Sequence, residues 1–330
     1  MERMLLEVDN LTIGMRRSGR ADTVIVDDVS FSVAAGERCG IVGESGSGKS
    51  LTLRAIADLL PKGVEVLSGS IVYDGRPLTG MAPQERRRLM GPEIAMIFQE
   101  PMTALNPVVR VGEQIAEGPL RHLGLSRKAA AALAIEMMAR TGIPDPARRA
   151  RAYPHELSGG LRQRIMIAMA VSCTPRLLLC DEPTTALDVT VQHQVLTVLE
   201  ALCADTGTAL VFVTHDLAVV NQTCTDMSVM YAGRIVESGT VADVLGNARH
   251  PYTKGLLDSA PDFDKPEREL VPIPGFAPNL TSRSGGCPFA PRCAFTIDAC
   301  TTAMPPRNVV SPGHTAACIR SQHIAEGAMA

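Results

Sequence analysis

The sequence contains no long apolar segment. Its longest clean apolar run, residues 165–171, is far shorter than the roughly 20 residues that a membrane-spanning helix needs. The amino-terminal residues, MERMLLE, also have no apolar signal core. We therefore expect the chain to stay in the cytosol and to associate with a membrane only through a partner protein.

A large excess of charge is missing as well. The net charge of -3 gives no electrostatic reason to expect a nucleic-acid partner. Hydrophobic residues make up 45% and charged residues 20% of the 330 residues, which is an ordinary globular composition that can bury a full core. The length suits one large domain and a smaller one.

A glycine-rich loop is the most informative motif. Residues 43–50, GESGSGKS, fit the phosphate-binding pattern G-x-x-x-x-G-K-[ST]. A buried strand is predicted before it (38–42) and a helix after it (51–60), which is the context that this motif requires. Its backbone N–H groups are expected to surround phosphates at a helix N-terminus. Lys49 should reach the β- and γ-phosphates, and Ser50 should bind Mg²⁺.

Polar residues follow three further apolar strands. Asp181 and Glu182 come directly after residues 177–180, LLLC. Asp181 is expected to hold Mg²⁺, directly or through water, and Glu182 suits a general base that polarises the attacking water. His215 follows residues 211–214, where it could bond the γ-phosphate, and Gln99 follows residues 94–98, where it could contact the metal or the water.

Strand and helix patterns alternate along the chain. Residues 103–175 are rich in helix, and Ser126 is a candidate N-cap for a helix that runs through Arg140. Strands at 176–180 and 209–214 flank a helix at 189–204. This alternation predicts an α/β fold with a parallel sheet and helical crossovers. The composition becomes rich in Pro, Gly, Cys and Ser near residue 246, so a domain boundary is predicted between 245 and 250.

Together these motifs resemble the nucleotide-binding subunit of an ABC transporter. Residues 157–163, LSGGLRQ, are similar to the signature motif of that family, with Leu161 where Gln is common, and residues 186–188 look like its D-loop. The resemblance covers about residues 5–245. It implies an ABC-type P-loop NTPase domain in residues 1–246, with a mixed sheet core and a helical subdomain at about 103–175, followed by a small extension in residues 247–330. It also implies that two chains enclose two ATP molecules head to tail.

The same resemblance implies roles for individual residues. Catalysis is expected from Glu182, His215 and Gln99, and Mg²⁺ binding from Ser50, Gln99 and Asp181. The residues expected to bind ATP and Mg²⁺ within one chain are Gly43, Glu44, Ser45, Gly46, Ser47, Gly48, Lys49, Ser50, Thr52, Gln99 and Asp181. Those expected to act in trans, on the ATP of the opposite subunit, are Ser158, Gly159, Gly160 and Asp188.

One feature usual in that family is missing. Its members usually carry an aromatic residue upstream of the phosphate loop, which stacks on adenine. Residues 10–28 contain no Phe, Tyr or Trp. We expect Met15, Arg16 or Ile25 to supply this contact.

The carboxy-terminal residues narrow the resemblance to peptide and nickel importers. The similar segments are 153–156 (YPHE), 250–257 (HPYTKGLL), 275–280 (GFAPNL) and 286–293 (GCPFAPRC). The chain looks most like the first of the two ATPase subunits of a dipeptide or oligopeptide importer. Import of nickel, opines or another small solute is an alternative, as is a non-transport ABC ATPase.

The resemblance also implies partners and a location. The partners are a second homologous ATPase subunit (in a heterodimer, or else a homodimer), two permease subunits and, indirectly, an extracytoplasmic solute-binding protein. The subunit is expected to lie peripherally on the cytoplasmic face of the inner membrane. Gln99 and residues 100–107 are expected to contact the coupling helices of the permeases.

Nine cysteines are present, and four of them crowd the last 44 residues. The five scattered ones, expected to be small buried hydrophobes, are Cys39, Cys173, Cys180, Cys203 and Cys224. The clustered ones are Cys287, Cys293, Cys300 and Cys318. Their spacing lacks the paired C-x₂₋₄-C of structural zinc sites, whereas four loosely spaced thiolates can hold a [4Fe–4S] cluster. The resemblance also implies a cluster in some family members, and a [4Fe–4S] cluster, zinc and no metal all stay open.

Overall fold

Strands and helices alternate through most of the chain. The computed structural model describes residues 3–17, 22–100, 104–185, 187–261, 270–278 and 285–325. Its strands are β1 (Met4–Met15), β2 (Thr23–Ala34), β3 (Arg38–Val42), β4 (Glu65–Tyr73), β5 (Arg76–Pro77), β6 (Ile94–Ile97), β7 (Leu177–Asp181), β8 (Ala209–Thr214), β9 (Asp226–Tyr231), β10 (Arg234–Thr240), β11 (Asn308–Ser311) and β12 (His314–Ala316). Its α-helices are α1 (Lys49–Ile56), α2 (Pro83–Leu89), α3 (Val111–His122), α4 (Arg127–Arg140), α5 (Pro146–Arg149), α6 (Gly159–Val171), α7 (Val189–Thr206), α8 (Leu217–Thr223), α9 (Val241–Gly246), α10 (Pro251–Ser259), α11 (Asp298–Thr302) and α12 (Ser321–Ala325).

The larger sheet carries the phosphate loop. Its strand order is β11-β12-β10-β9-β3-β8-β7-β6. Strands β9, β3, β8, β7 and β6 pair in parallel, whereas β10, β12 and β11 are antiparallel to their neighbours. The carboxyl ends of the five parallel strands therefore meet at one edge of the sheet. This mixed sheet with helices is the predicted α/β class.

A smaller antiparallel sheet and a group of helices complete the domain. The smaller sheet has the order β2-β1-β4-β5, and its buried side chains share one apolar core with α1 and the larger sheet. Helices α3, α4 and α6 surround a separate core that includes Val111, Ile115, Met138 and Ile165. This separate core lies within the helix-rich segment predicted at about 103–175.

Several element boundaries follow the sequence patterns. Strand β3 spans the predicted residues, and Ser126 caps α4 by accepting a hydrogen bond from the Ala129 N–H at 3.3 Å. Helix α1 was predicted to continue to residue 60 but ends at Ile56. The reason is that Asp58 takes a left-handed backbone conformation with φ of 61°, which an α-helix cannot contain.

A buried hydrogen-bond network joins the carboxy-terminal extension to the larger sheet. The Glu237 carboxylate of β10 accepts hydrogen bonds from the Arg249 N–H (2.6 Å), the His250 N–H (2.9 Å) and His314 Nε2 (2.8 Å). Both Glu237 and His314 have no exposed surface. A buried carboxylate needs such partners, so this network is expected to be costly to break. The division of the chain at residue 246 stays a prediction.

No helix in the part of the chain that the structure describes is both long enough and apolar enough to cross a membrane.

His250 is the N-cap residue of α10. Its Nδ1 accepts a hydrogen bond from the Tyr252 N–H at 3.1 Å. Burial lowers the pKa of His250 from 6.5 to about 3, so the ring is neutral at physiological pH.

This buried histidine predicts a loss of stability in mild acid. The unfolded chain binds a proton at His250 near pH 6.5 and the folded chain only near pH 3, so the free energy of unfolding falls as the pH drops through that window. His250→Asn keeps a capping acceptor but does not titrate. Between about pH 7.5 and about pH 5, the wild type should lose on the order of 1–2 kcal/mol more than the variant. Denaturant titrations at both pH values measure this, and equal losses would contradict the prediction.

Candidate active site

The phosphate loop connects β3 to α1 and packs closely against β9 at Gly43. A Cβ atom at Gly43 would lie 2.0 Å from the Met230 carbonyl oxygen, so no other residue fits there. Gly48 occupies the N-cap of α1 with φ of 103°, a conformation that glycine adopts without strain. The loop therefore wraps tightly against β9 and directs its backbone toward the start of the helix.

Lys49 is buried inside this loop. Its Nζ donates hydrogen bonds to the carbonyl oxygens of Gly43 (2.7 Å) and Glu44 (2.9 Å) and approaches Ser47 Oγ at 3.4 Å. Burial lowers the pKa of Lys49, and the nearby Glu182 carboxylate opposes this effect. All three hydrogen-bond acceptors are neutral, so the ammonium group keeps its charge available for an anionic ligand.

Ser50 and Asp181 offer a place for a hard cation. The Ser50 hydroxyl donates a hydrogen bond to Asp181 Oδ1 at 2.6 Å. The other oxygen, Oδ2, is buried with no hydrogen-bond partner in the described part of the chain, and the Arg54 guanidinium stays 3.9 Å away. Burial raises the pKa of Asp181. A hydroxyl beside an unsatisfied buried carboxylate oxygen is a donor set that fits Mg²⁺.

Glu182 stands at the end of β7 in a strained conformation. Its φ of 45° is in the left-handed region, which non-glycine residues adopt uncommonly. Its Oε2 accepts a hydrogen bond from Thr185 Oγ1 at 2.9 Å and lies 3.2 Å from His215 Nδ1 and 3.5 Å from Gln99 Nε2. The structure thus brings Gln99, Glu182 and His215 together, since they follow the neighbouring strands β6, β7 and β8.

Thr185 also belongs to this group, although its sequence position did not predict it. Its hydroxyl lies three residues after Glu182 and fixes the carboxylate from the same turn. The sequence holds no specific signal for this contact beyond the spacing of three residues.

These groups surround a cavity of about 730 Å³. Its lining consists of Ile25, Glu44, Ser45, Gly46, Ser47, Gly48, Lys49, Ser50, Leu51, Gln99, Glu182, Thr185 and His215. Among the three candidates for the adenine contact, Ile25 lines the cavity, whereas Arg16 pairs with Glu65 at 3.1 Å. Thr52 has its hydroxyl bonded to the Gly48 carbonyl oxygen at 3.1 Å, inside the helix rather than toward the cavity.

The residues predicted to act in trans lie elsewhere. Ser158 is the N-cap of α6, and its hydroxyl makes no capping bond within the described residues. Ser158 and Gly159 are exposed, Gly160 is half-buried, and none of the three lines the described cavity. Asp188 caps α7 by accepting a hydrogen bond from the Val191 N–H at 3.0 Å. The α6 terminus therefore faces outward, where a second chain can reach it.

Some predicted residues lie outside the described ranges. They are Pro101, Met102 and Thr103 of the segment after Gln99, Ala186 of the D-loop, and Asn279 and Leu280 of the extension.

The four tail cysteines line one small apolar cavity of the extension. Cys287 and Cys300 are buried, and Cys293 and Cys318 are partly buried. Backbone N–H groups of Phe295 and Arg320 donate to the sulfurs of Cys293 (3.3 Å) and Cys318 (3.4 Å). Across the described residues, no group of three or more His, Cys, Asp and Glu side chains is arranged to hold a metal ion. The five scattered cysteines are all buried, as expected.

Two family models match the chain. The one described as "ABC transporter" matches residues 26–185. The one described as "Oligopeptide/dipeptide transporter, C-terminal region" matches residues 236–300. The first contains the phosphate loop, Gln99 and Glu182, and the second contains most of the extension.

Curated relatives match over almost the whole length. A putative peptide import ATP-binding protein of Brucella melitensis is 48% identical over 334 residues, which covers 97% of this chain and 98% of that protein. The oligopeptide transport ATP-binding protein OppD of Salmonella typhimurium is 45% identical over 317 residues, covering 96% and 94%.

Solved structures show the same fold. A dimeric ATP-binding cassette, in a post-hydrolysis state with ADP and Pi, superposes with a TM-score of 0.64 at 25% identity, covering 72% of this chain and 98% of that one. CbiO1 of Clostridium perfringens superposes with a TM-score of 0.63 at 24% identity, covering 74% and 92%.

The position of Glu182 predicts the effect of removing its charge. Glu182→Gln keeps the side-chain shape but loses the proton acceptor, so ATP turnover should fall by about 100-fold or more. ATP binding should persist, because the phosphate loop and Lys49 are unchanged, and the variant should accumulate in an ATP-bound dimer. Phosphate-release kinetics and size-exclusion chromatography with ATP measure both effects. Glu136→Gln, an exposed position of α4, is the control, and undiminished turnover in Glu182→Gln would refute the assignment.

Proposed function

This chain belongs to the ABC transporter family of ATP-binding proteins, and we propose that its ATP hydrolysis drives the import of peptides across a membrane. The chain is an ATPase by family and by fold. The observation that carries the proposal is the convergence of Gln99, Glu182 and His215 on a phosphate loop, in a chain that matches peptide-import relatives from end to end. Nickel, opine or other small-solute import stays as the alternative.

The chemistry that we propose uses the strand-end groups directly. The loop N–H groups and Lys49 bind the β- and γ-phosphates, and Glu182 accepts a proton from a water that attacks the γ-phosphorus. The bond from that phosphorus to the bridging oxygen of ADP breaks, which gives ADP and inorganic phosphate. Ser50 and Asp181, with Gln99, would hold Mg²⁺, which neutralises phosphate charge when bound. His215 and Thr185 orient the Glu182 carboxylate and so fix the position of the water.

We propose that a second ATPase subunit completes each site. The exposed N-terminus of α6, with Ser158 and Gly160, is a place where backbone N–H groups and the helix dipole favour an anion. Because these residues do not line the cavity of their own chain, they are available to the ATP of a partner, together with Asp188. We propose that the partner is a homologous but distinct subunit, which gives a heterodimer, because the chain resembles importers that have two different ATPase subunits.

An apolar groove supports docking onto permease subunits. It has a volume of about 320 Å³ and lies between the end of α1, strand β6, α3 and α6. Phe98, Ala104 and Leu105 line it on either side of the segment after Gln99, and Leu59 adds a side chain that is 47% exposed. An apolar helix end of a membrane subunit fits such a groove. We propose that the chain lies peripherally on the cytoplasmic face of the membrane, with the solute-binding protein on the other side of the permeases.

We also propose a [4Fe–4S] cluster in the extension, held by Cys287, Cys293, Cys300 and Cys318. The support is that all four line one cavity and that backbone N–H groups already point at two of the sulfurs. In such a cluster each thiolate binds a different iron atom, so the four need not converge on one point. The cluster would join segments of a small region that contains little regular structure.

If the permeases dock in this groove, one charge added to its surface should weaken their binding to the subunit. Leu59→Glu places a carboxylate on the apolar surface, where it would be buried unpaired on docking. Co-purification with the permeases and ATP-driven uptake of a labelled peptide into vesicles should both fall by about tenfold or more. Val309→Glu, on β11 and more exposed (75% against 47% for Leu59), is the control and should change neither. Full uptake with Leu59→Glu would exclude this groove, and uptake without ATP would exclude the proposed function.

The cluster proposal predicts a coloured protein. Anaerobically purified chain should contain iron and acid-labile sulfide in equal amounts and show a visible absorption band that weakens on reduction. Cys293→Ser should lose iron, whereas Cys224→Ser, which changes a buried cysteine outside the tail, should not. A colourless wild-type preparation without sulfide would remove the proposal.

A further inference from the structure

The carboxy-terminal extension contacts the phosphate loop at Glu44. The Glu44 N–H donates a hydrogen bond to the hydroxyl of Tyr252 on α10 at 2.8 Å. The Glu44 carboxylate receives the guanidinium of Arg292 as a fork, with Nη1 to Oε2 at 2.9 Å and Nη2 to Oε1 at 3.0 Å. The extension thus binds both the backbone and the side chain of the second residue of the loop.

Arg292 is held firmly in this position. Its side chain is only 7% exposed, and it also donates to the Tyr231 hydroxyl (3.2 Å) and the Pro274 carbonyl oxygen (2.8 Å). Its guanidinium carbon lies 5.8 Å and 5.9 Å from the ring centroids of Tyr231 and Phe289. A bidentate, partly buried pair of this kind has stronger geometry than an exposed ion pair.

An aromatic cluster supports the pair from behind. The rings of Tyr231, Tyr252 and Phe289 have centroids 4.5 to 5.4 Å apart. The whole chain has only four tyrosines, seven phenylalanines and no tryptophan, so this cluster uses half of its tyrosines. These ring contacts pack the end of β9, α10 and the start of the cysteine-containing segment against one another beside the phosphate loop.

The charge of Glu44 gives the pair a consequence for the ligand. Glu44 lines the nucleotide cavity, and its own carbonyl oxygen accepts a hydrogen bond from Lys49 Nζ at 2.9 Å. An unpaired carboxylate here would repel the phosphates of ATP and compete for Lys49. Arg292 cancels that charge and holds the carboxylate against the extension.

We propose that Arg292 is a positioning residue of the nucleotide site, which fixes the phosphate loop and neutralises Glu44. The extension is then part of the ATP-binding machinery, not only an appended module. The role concerns ground-state binding of the phosphates, so its loss should raise the KM for ATP and leave kcat nearly unchanged.

The test uses the full-length chain and equilibrium binding of a non-hydrolysable ATP analogue with Mg²⁺. Arg292→Gln should weaken binding by about tenfold or more, and the loss should shrink at high salt. Arg292→Lys, which keeps the charge without the fork, should give an intermediate loss. The decisive variant is Arg292→Gln with Glu44→Gln, which should recover most of the affinity because the repelling charge is gone.

The control is Arg307→Gln. Arg307 also ties the extension to the rest of the chain, through the Ser30 carbonyl oxygen (3.0 Å) and Ser238 Oγ (2.9 Å), but it does not touch the loop. This variant should bind the analogue like the wild type.

The possible outcomes separate this inference from the proposed function. Unchanged affinity in Arg292→Gln, a double variant as weak as the single one, or an equal loss in Arg307→Gln would overturn it. If Arg292→Gln fails to fold, undiminished affinity in Arg292→Lys has the same meaning. A wild-type chain that binds no analogue would instead refute the ATP site itself.

Discussion

The parallel order of β3, β8, β7 and β6 is the constraint on which the active site depends. Parallel strands all end at the same edge of the sheet, so a polar residue that follows each strand is delivered to one place. Gln99, Glu182 and His215 meet there, although 83 and 33 residues separate Glu182 from the other two. The phosphate loop follows β3 at the same edge. A change that shifted any of these strands by one residue would turn its terminal group away from the others.

The sequence was most predictive where a local signal marks a strand end or a helix start. The glycines of the loop, the apolar run before Asp181 and the N-cap Ser126 are such signals, and they required no knowledge of distant contacts. The meeting of Gln99, Glu182 and His215 agrees with the alternation of strands and helices, which implies a parallel sheet. The early end of α1 was missed, since the left-handed turn at Asp58 depends on how the chain leaves the helix and not on its apolar pattern.

Contacts between remote side chains could not be predicted in this way. Arg292 and Glu44 are 248 residues apart, and Tyr252 and Glu44 are 208 apart. Nothing in the spacing around any of the three indicates that they meet, because the contact depends on how α10 and the following segment pack against β9. The same holds for His314 and Glu237, whose pairing exists only once β12 has joined the sheet. Tertiary packing, not local pattern, decides which charges are compensated in this molecule.

The hairpin of β11 and β12 has a consequence for the solubility of the chain. It pairs with the middle of β10, at Glu237 and Ser238, on the side of this seven-residue strand that would otherwise be the open edge of the larger sheet. An open edge strand is a template for pairing with other chains, and a short one is a poor template. Strand β11, which ends the sheet instead, has only four residues. The extension therefore protects the ATPase domain from edge-to-edge association. A chain shortened before β11 would expose β10 as an edge strand and would be more prone to associate with other chains.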